Sequence, residues 1–426
     1  MTYTRVIIVG GGFGGLNVAN DLRRAKMDVL LIDKKNHHLF QPLLYQVASA
    51  ALSPADIAIP LRETLRNNPN TTVLMGEVVN IDKEKRLVTL GNGENYGYDY
   101  LVVATGARHS YFGNDQWENF APGLKTLDDA LCIRERLLIS FEKAERCDSI
   151  TEAAKYLNFV IIGAGPTGVE MAGSIAEIAH KAMIRNFRRI KPQKARIYLL
   201  EAAPRILPPY PERLSKRARK DLAKMGVQVL TGKKVVNVTS EGIELEDGSI
   251  ESRNVIWAAG NQASPLLKQL DIELDRSGRA IVDKDLSLPD HPEIFVIGDA
   301  AHVLDKTNTP IPAVAPGAVQ MGRFVAKIIR KGIPKEKRSS FKYFDKGSMA
   351  TIGKCKAVAY FRKIQFTGLL AWLAWGFIHI LYLVGFRNRF TVGLNWFFHY
   401  FTGIRGARLI RSSIKEEDLD PAKKPS

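Results

Sequence analysis

The chain has 426 residues, of which 46% are hydrophobic and 25% are charged. This is the composition of a globular protein, and the length suffices for two or three domains. Three widely spaced cysteines, Cys132, Cys147 and Cys355, argue against a disulfide framework and fit a reducing compartment. Because the first strand is predicted from residue 4, we expect no signal peptide.

The formal net charge of +17 at pH 7 is unusual, and basic residues concentrate in two stretches, 181–196 and 323–342. Basic surfaces of this kind suit nucleic acid or anionic lipid. The sequence has no zinc-ligand spacing, no RNA-binding signature and no helix-turn-helix pattern. We therefore expect an anionic lipid surface as partner, and neither nucleic acid nor a metal ion.

The clearest motif lies mid-chain, where residues 159–170 are F-V-I-I-G-A-G-P-T-G-V-E. An apolar strand that runs into G-x-G-x-x-G and a helix of small residues is the pattern of a dinucleotide-binding βαβ unit. Gly163 allows the tight turn, Gly165 the approach of a pyrophosphate, and Gly168 the close packing of helix and strand. The pyrophosphate would sit at the positive end of the helix.

The next predicted strand of this unit, residues 196–201, ends in Glu201. A carboxylate there accepts a hydrogen bond from a ribose 2′-hydroxyl and repels a 2′-phosphate, so it predicts NADH, whereas the nearby Arg205 favours NADPH. Glu201 follows the glycines by more than the usual interval of about 20 residues. A basic segment at 180–194, predicted to be helical, lengthens the crossover.

A second copy of the motif opens the chain, where residues 4–15 are T-R-V-I-I-V-G-G-G-F-G-G. We predict a helix at 16–25 and a strand at 28–32 followed by Asp33. A lone glycine fingerprint is weak evidence, but two complete copies predict two nucleotide sites. Short alternating strands and a strand ending in small residues follow each copy, at 104–106 and 258–260.

The segments around the second copy indicate that it is inserted in the first domain. Residues 127–155 are charged throughout and predict a helical linker, and the strand 294–299 ends in Gly298 and Asp299. A carboxylate beside a tight turn can bind a polyol hydroxyl, and a helix is predicted from about residue 313 with Pro316 in its first turn.

Two adjacent histidines, His37 and His38, follow the first copy. They could be catalytic, but the neighbouring Asn36 favours a role in capping or in a turn.

The C-terminal part contains an apolar run, residues 364–386, without Asp, Glu, Lys or Arg. The run is long enough to span a membrane, but basic residues flank both ends and assign no orientation. Two aromatic-rich elements lying in the membrane interface would also use this pattern and the basic surface. We favour in-plane anchoring over a spanning helix and over a buried helix, and we expect a charged, disordered tail beyond residue 410.

These features together resemble the flavoproteins with two dinucleotide-binding domains, and within them the type II, non-proton-pumping NADH:quinone oxidoreductases. The resemblance extends from residue 3 to about 411 and includes both fingerprints and the strand ending in Gly298 and Asp299. The other segments that carry it are N-H-H-L-F-Q-P-L-L-Y-Q-V-A from Asn36, E-A-A-P-R-I-L-P from Glu201, M-A-T-I-G from Met349, and the C-terminal V-G-F-R-N-R-F, L-N-W and R-G-A-R-L-I.

The resemblance implies two cofactor sites. FAD would be held by Gly10, Gly12, Phe13, Gly14, Gly15, Asp33, Lys34, Thr105, Gly106, Gly298 and Asp299. NADH would be held by Gly163, Gly165, Thr167, Gly168, Glu201, Ala259 and Gly260.

The resemblance also implies catalytic roles for Glu170 and Gln320. Glu170 would assist hydride positioning or supply a proton to the quinone; alternatively, it satisfies amides at the helix N-terminus. The quinone side would include Gln46, Ala315, Pro316 and Gln320. Here Pro316 replaces the first glutamine of the family's A-Q-x-A-x-Q.

The predicted fold is α/β, with two Rossmann-like dinucleotide-binding domains, the second inserted in the first, and a C-terminal membrane-anchoring helical region. The predicted parts are an FAD domain (1–126 and 291–350), an NADH domain with its linker helix (127–290), the anchoring region (351–411) and the tail (412–426). By family likeness we expect a homodimer and a monotopic protein on the cytoplasmic face of the cell membrane.

The implied function is transfer of a hydride from NADH to FAD and of two electrons to a membrane quinone, without proton pumping. A sulfide:quinone oxidoreductase is the first alternative, but it needs sulfur-carrying cysteines, and Cys355 has no convincing partner. A pyridine nucleotide–disulfide reductase is nearly excluded, because it needs a redox pair such as C-x₄-C. A flavin-binding redox sensor or effector could keep both fingerprints without fast turnover.

Overall fold

The computed structural model describes residues 3–305, 308–403 and 405–410. The chain divides into two compact units, each assembled from three segments. Unit 1 comprises Met1–Leu39, Ala58–Arg108 and Asn261–Lys346, and unit 2 comprises Phe40–Ile57, His109–Gly260 and Gly347–Ser426. The predicted tail, 412–426, lies outside the described residues.

The strands are β1 (Thr4–Val9), β2 (Met27–Asp33), β3 (His37–Leu39), β4 (Ala58–Pro60), β5 (Thr71–Met75), β6 (Val78–Asp82), β7 (Leu87–Leu90), β8 (Asn95–Gly97), β9 (Tyr100–Val103), β10 (Ala107–His109), β11 (Asn158–Ile162), β12 (Arg196–Glu201), β13 (Val227–Thr231), β14 (Val235–Thr239), β15 (Gly242–Leu245), β16 (Gly248–Glu251), β17 (Asn254–Trp257), β18 (Asn261–Ala263), β19 (Ala280–Ile281), β20 (Ile294–Val296), β21 (Ala301–His302), β22 (Ser348–Gly353), β23 (Lys356–Phe361) and β24 (Ile364–Thr367). The α-helices are α1 (Phe13–Leu22), α2 (Leu44–Ala48), α3 (Pro54–Ile57), α4 (Leu61–Thr64), α5 (Leu127–Arg146), α6 (Ile150–Leu157), α7 (Pro166–Glu177), α8 (Glu212–Ala223), α9 (Ala315–Lys331), α10 (Leu369–Tyr382) and α11 (Phe386–Thr402).

Unit 1 is built on a parallel sheet of order β5-β2-β1-β9-β20. The apolar residues at the centre of β1 are fully buried because the sheet has apolar cores on both faces. Buried parallel strands have this continuous apolar sequence. The strand order is that of a Rossmann-like fold, whose ligands bind at the carboxyl ends of the strands.

Unit 2 repeats this arrangement with a parallel sheet of order β13-β12-β11-β17. An antiparallel three-stranded meander also occurs in each unit, β6-β7-β8 in unit 1 and β14-β15-β16 in unit 2. The prediction of two Rossmann-like folds, each followed by small strands, is therefore confirmed.

Helix α7 of unit 2 packs unusually closely on β22. A Cβ at Gly173 of α7 would lie 1.8 Å from the carbonyl oxygen of Ile352 in β22. A side chain cannot fit there, so Gly173 sets the distance at which helix and strand meet.

Two of the predicted helical segments differ from the observed ones in more than the position of their ends. The linker, predicted as one helix, consists of α5 and α6 and is interrupted after Arg146. The prediction of a helix over 180–194 was wrong. A π-turn at Ile178–Ala182 and a short 3₁₀ turn at Pro192–Lys194 are the helical parts of this stretch.

The apolar run 364–386 does not form one continuous helix. It contains β24 and the 14-residue helix α10, and α11 starts at its end. Gly368 and Gly385 have φ angles of 71° and 84°, a conformation that favours glycine, so the chain turns at both positions. Among the described residues, no helix has both the length and the apolar character needed to cross a membrane.

A buried ionic cluster fixes the 335–338 segment of unit 1. Lys335 Nζ lies 2.9 Å from Asp285 Oδ1, and Arg338 Nη1 lies 3.0 Å from Asp285 Oδ2. The Arg338 guanidinium also lies 5.1 Å from the ring centroid of Phe295. Burial alone would raise the pKa of Asp285, but hydrogen bonds from Lys335 and Arg338 outweigh it and lower that pKa.

We predict that Asp285→Asn lowers the free energy of unfolding by about 3–5 kcal/mol, because it leaves the buried guanidinium of Arg338 without its anion. Lys335 keeps an ion pair with Asp283 at 2.7 Å. Since the folded pKa of Asp285 is depressed, this stabilisation is present above the unfolded pKa of about 3.9 and is lost as the pH falls through the folded value. Denaturant unfolding at several pH values measures it. Glu63→Gln, in an exposed pair with Arg66, is the control, and an equal loss in both variants would contradict the argument.

Candidate active site

The first glycine fingerprint follows β1 in unit 1. Gly10 has a φ of 106°, and a Cβ there would lie 2.4 Å from the carbonyl oxygen of Ala104. A Cβ at Gly15 would lie 1.9 Å from the carbonyl oxygen of Gly10. By contrast, a Cβ at Gly12 would have no atom within 4 Å. The open space beside Gly12 leaves its backbone accessible, as a bound pyrophosphate requires.

The acid at the end of β2 is held by backbone amides. Asp33 Oδ2 accepts a hydrogen bond of 2.6 Å from Gly11 N, and Oδ1 accepts one of 2.7 Å from Lys35 N. This fixes the carboxylate at the carboxyl end of the sheet. The side chain of Lys34 is exposed, with Nζ 3.9 Å from Glu77 Oε1, and its contact with a cofactor stays a prediction.

Two buried polar atoms close to this fingerprint lack partners within the described chain, Thr105 Oγ1 and His38 Nε2. His38 Nδ1 lies 3.0 Å from the carbonyl oxygen of Gly11, and its ring meets Phe13 edge-on. Burial lowers the pKa of His38, so the ring is neutral and donates through Nδ1. Unpartnered buried atoms are rare, and the hydroxyls of a bound dinucleotide would satisfy them.

The sequence analysis assigned His38 to a turn or a cap, whereas the structure places it in the candidate dinucleotide site. Its position in strand β3, beside the first fingerprint, comes from tertiary pairing of β3 with β4. No local sequence signal shows that pairing.

Further unit 1 residues complete this side of the sheet. Asp299 lies in the 3₁₀ turn Gly298–Ala300, and its carboxylate has no hydrogen-bond partner in the described chain. Gly106 has a φ of 67°. Gly14 faces the side chain of Ile297, since a Cβ there would lie 2.9 Å from Ile297 Cδ1. These residues fit a dinucleotide that extends along the strand ends.

The first turn of α9 contains Ala315 and Pro316, and the next turn contains Gln320. Both amide atoms of Gln320 are engaged with one backbone unit: Nε2 donates to Phe344 O at 3.0 Å, and Oε1 accepts from Phe344 N at 2.9 Å. A direct role for this amide would require exchange of these bonds, so its catalytic role stays a prediction.

The second fingerprint, in unit 2, repeats the close approaches and the open space of the first. A Cβ at Gly163 would lie 2.7 Å from Ala259 N, one at Gly168 would lie 1.8 Å from the carbonyl oxygen of Gly163, and one at Gly165 would have no atom within 4 Å. Thr167 is exposed in the first turn of α7. This geometry fits a second dinucleotide at the helix N-terminus.

Backbone amides hold the carboxylate of Glu201 in the same way as they hold that of Asp33. Its Oε2 accepts a hydrogen bond of 2.8 Å from Ala164 N, and its Oε1 accepts one of 2.9 Å from Ala203 N. Gly260, with a φ of 73°, follows β17. The guanidinium of Arg205 donates to the carbonyl oxygens of Tyr210 and Pro208 at 2.6 Å each, so its charge is bound within its own loop.

A cavity of about 20 Å³ lies along α7 in unit 2. A water molecule needs about 10–15 Å³ of such space, so one water fits. Glu170, Ser174 and Glu177 line it from α7, at a spacing that places them on one helix face. The other lining groups include Tyr45, Gln46, Thr351, His399, Tyr400 and Arg405.

Glu170 has a strongly perturbed carboxyl group. Burial raises its pKa to about 8, and a long hydrogen bond of 3.4 Å from Thr351 N opposes the rise. The carboxyl group is therefore largely protonated at neutral pH and can act as a general acid.

The far end of the cavity holds a buried ion pair. Arg405 Nη2 lies 3.1 Å from Glu177 Oε2, and Arg405 Nη1 donates to Ser49 O at 2.6 Å and to Ser174 Oγ at 3.1 Å. The sequence analysis missed both ionic residues. The helical spacing of Glu170 and Glu177, with the R-G-A-R segment, was the available signal.

Gln46 lies inside unit 2 beside the same cavity. Its side chain is buried, Oε1 accepts from Trp396 Nε1 at 2.7 Å, and Nε2 donates to Tyr45 OH at 2.9 Å. The structure thus brings Gln46 together with Glu170 around one cavity.

Family comparisons match nearly the whole chain. The model described as pyridine nucleotide-disulphide oxidoreductase matches residues 4–322, and that described as NDH2 C-terminal domain matches residues 346–405. The type II NADH:quinone oxidoreductase Ndh of Mycobacterium tuberculosis is 46% identical over 94% of this chain and 89% of that protein. The chain belongs to the type II NADH:quinone oxidoreductase family. A second M. tuberculosis member of the family, NdhA, is 44% identical over 96% of this chain and 90% of its own.

Solved structures agree with this family at the level of the fold. NDH2 from Plasmodium falciparum in complex with NADH has a TM-score of 0.88 at 22% identity, covering 96% of this chain and 100% of that one. The sulfide:quinone oxidoreductase of Aquifex aeolicus has a TM-score of 0.68 at 20% identity, covering 98% and 94%. The three cysteines are all free.

We predict that Gly12→Ala folds normally yet loses most of its tightly bound dinucleotide. The new Cβ would enter open space in the protein but would block the approach of the pyrophosphate. Gly15→Ala should instead lower the unfolding temperature, because its Cβ would lie 1.9 Å from a carbonyl oxygen. Thermal unfolding and the dinucleotide released on denaturation distinguish the two. Identical behaviour would show that the space beside Gly12 is not a binding surface.

Proposed function

We propose that this chain oxidises NADH through a bound FAD and reduces a membrane quinone without pumping protons. The observation that carries the proposal is the duplicated fingerprint, with an amide-held acid at the end of each second strand, in a chain of this family. When bound, FAD supplies the hydride acceptance and two-electron transfer that protein side chains lack.

For unit 1, the proposal assigns FAD to the eleven residues named from the resemblance. The fingerprint amides and the N-terminus of α1 would bind the pyrophosphate, and Asp33 would accept from a ribose hydroxyl. The free carboxylate of Asp299 and the unpartnered Thr105 hydroxyl support placement of the remaining polar groups along the strand ends.

For unit 2, the proposal assigns NADH to the seven residues around the second fingerprint. Glu201 would accept from the ribose 2′-hydroxyl and repel a 2′-phosphate. The hydrogen bonds of Arg205 support NADH over NADPH, because its guanidinium already donates to two carbonyl oxygens of its own loop.

Quinone reduction consumes protons, and the proposal assigns one proton donor to Glu170. Its protonated carboxyl, raised in pKa by burial, can give a proton to a quinone oxygen that carries developing negative charge. The proposed quinone-side residues remain Gln46, Ala315, Pro316 and Gln320, of which Gln46 shares the cavity with Glu170.

For the membrane, the proposal assigns in-plane attachment to α10 and α11. Exposed apolar side chains recur every fourth residue on both helices, Leu369, Leu373, Phe377 and Leu381 on α10 and Phe386, Phe390, Leu394 and Phe398 on α11. The exposed Arg362, Lys363, Arg387 and Arg389 lie near the helix starts. This pattern suits the interface of an anionic membrane.

We extend the proposal to the predicted domain division, to a homodimer and to the cytoplasmic face of the cell membrane. These rest on family likeness, and light scattering of the detergent-solubilised protein checks the dimer.

An anaerobic titration of the purified protein, followed by flavin absorbance, tests the function. Stoichiometric NADH should bleach the flavin, and a soluble quinone should restore the absorbance. If sulfide bleaches the flavin and NADH does not, the sulfide enzyme replaces this proposal. Slow NADH oxidation that quinone does not accelerate would favour a redox sensor.

We predict that Glu170→Gln lowers quinone-dependent turnover by about 100-fold while the flavin stays bound, because the general acid is lost. In the wild type the carboxyl group loses its proton as the pH rises through about 8, so turnover should fall there. The pH profile of the variant should lack this alkaline limb. Glu246→Gln, at an exposed acid of the same unit, should retain both rate and limb. Unchanged steady-state and single-turnover rates in Glu170→Gln would contradict the role.

We predict that the double variant Phe386→Glu, Phe390→Glu no longer sediments with vesicles of anionic lipid, because two charges would enter the apolar stripe. Ile150→Glu is the matched control, since Ile150 is 86% exposed and Phe386 84% exposed. The control should bind like the wild type, and equal binding by all three proteins would exclude attachment through α11.

A further inference from the structure

A chain of hydrogen bonds runs from Trp396 through Gln46 to Tyr45 inside unit 2. The indole N–H of Trp396 can only donate, so the atom of Gln46 at 2.7 Å from it is the carbonyl oxygen. The amide nitrogen of Gln46 must then face Tyr45, where it donates to the phenol oxygen at 2.9 Å. The phenol oxygen is thereby an acceptor, and its own proton points elsewhere.

The remaining direction for the phenol proton is the cavity that Glu170 shares. Within the described residues, the Tyr45 hydroxyl has no acceptor for its proton, although Tyr45 and Glu170 line the same space. Burial, followed by the charge of Glu170, raises the pKa of Tyr45 well above its ordinary range. The phenol therefore keeps its proton and acts as a hydrogen-bond donor.

We propose that Tyr45 is a positioning residue for Glu170, whose phenol O–H donates, directly or through one cavity water, to the carboxylate that Glu170 becomes on giving up its proton. The inference rests on the proposed role of Glu170 as proton donor. The proton moves from a Glu170 oxygen to a quinone oxygen, and Tyr45 supplies a hydrogen bond and transfers no proton. Trp396 and Gln46 set the direction of that bond.

Among the titratable groups described around Glu170, Tyr45 is the one that the Trp396–Gln46 chain of hydrogen bonds reaches. Glu177 on α7 is paired with the buried Arg405. His399 and Tyr400 line the cavity from α11. Tyr210 feels the charge of Glu170, but burial is the main cause that raises its pKa. The Trp396–Gln46 chain reaches Tyr45, so Tyr45 is the phenol that we expect to be directed.

The test is Tyr45→Phe in the full-length, flavin-loaded protein, with the pH profile of quinone-dependent turnover as one readout. Loss of a hydrogen bond to the ionised carboxylate disfavours ionisation, so the pKa of Glu170 should rise by about one unit and the alkaline limb should move to higher pH. The plateau rate should fall, while the rate of flavin bleaching by NADH should not change.

A direct readout is the infrared carbonyl band of the protonated Glu170 carboxyl group, which should disappear in Glu170→Gln. In Tyr45→Phe the pKa read from this band should rise by the same amount, and the measurement needs no turnover. Trp396→Phe frees the Gln46 amide and should give part of the shift, and it carries the test if Tyr45→Phe loses flavin. Tyr400→Phe, which removes a second phenol from the same cavity, should leave the titration in place.

The outcomes separate the two proposals. If Glu170→Gln removes neither the limb nor an infrared band, the proton-donor role of Glu170 fails. If Glu170→Gln removes both but Tyr45→Phe lowers the rate without moving the titration, Tyr45 is a packing residue and this inference is overturned. A shift in Tyr400→Phe as large as that in Tyr45→Phe would also overturn it.

Discussion

Both glycine turns depend on a close approach between two backbone segments. The approach leaves no room for a side chain, so only glycine fits. Gly10 meets the strand end at Ala104, and Gly163 meets it at Ala259, at distances that a Cβ would reduce to 2.4 and 2.7 Å. Because the turn is so tight, the helix starts directly above the sheet, and its free amides face the space where a phosphate binds. Asp33 and Glu201 then accept hydrogen bonds from the amides beside each turn, so the sheet, the turn and the acid are fixed as one group.

The sequence predicted the two Rossmann-like folds well because the motif that specifies each turn is local. A strand, three glycines and an acid within one short segment are enough to recognise a βαβ unit, although the approaches at Ala104 and Ala259 come from later segments. The prediction of two Rossmann-like domains followed from the same repeat. The errors occurred where local pattern is ambiguous. The 180–194 segment is rich in good helix formers, yet Pro192 and the turns before it prevent a continuous helix. The glycines at 368 and 385 divided an apolar run that composition alone had left continuous.

The surroundings of Glu170 could not be predicted, because they come from distant segments. Tyr45 and Gln46 come from α2, Thr351 from β22, and Arg405 from beyond α11. Each of these residues has an ordinary structural explanation in its own sequence context. Their shared consequence, a carboxyl group whose pKa burial raises to about 8, appears when the segments are assembled. The spacing of Glu170, Ser174 and Glu177 on one face of α7 was a local clue to a polar cavity.

The bond from Arg405 to the Ser49 carbonyl joins residues 356 positions apart. Closing a loop of this length costs more conformational entropy than closing a shorter one, so such contacts tend to form later in folding. The strand, glycines and acid of the second βαβ unit lie within residues 159–201 and can come together before them. A folding order of this kind would place the nucleotide-binding turn of unit 2 before the enclosure of Glu170, whose carboxyl group would until then be hydrated and have its ordinary acidity.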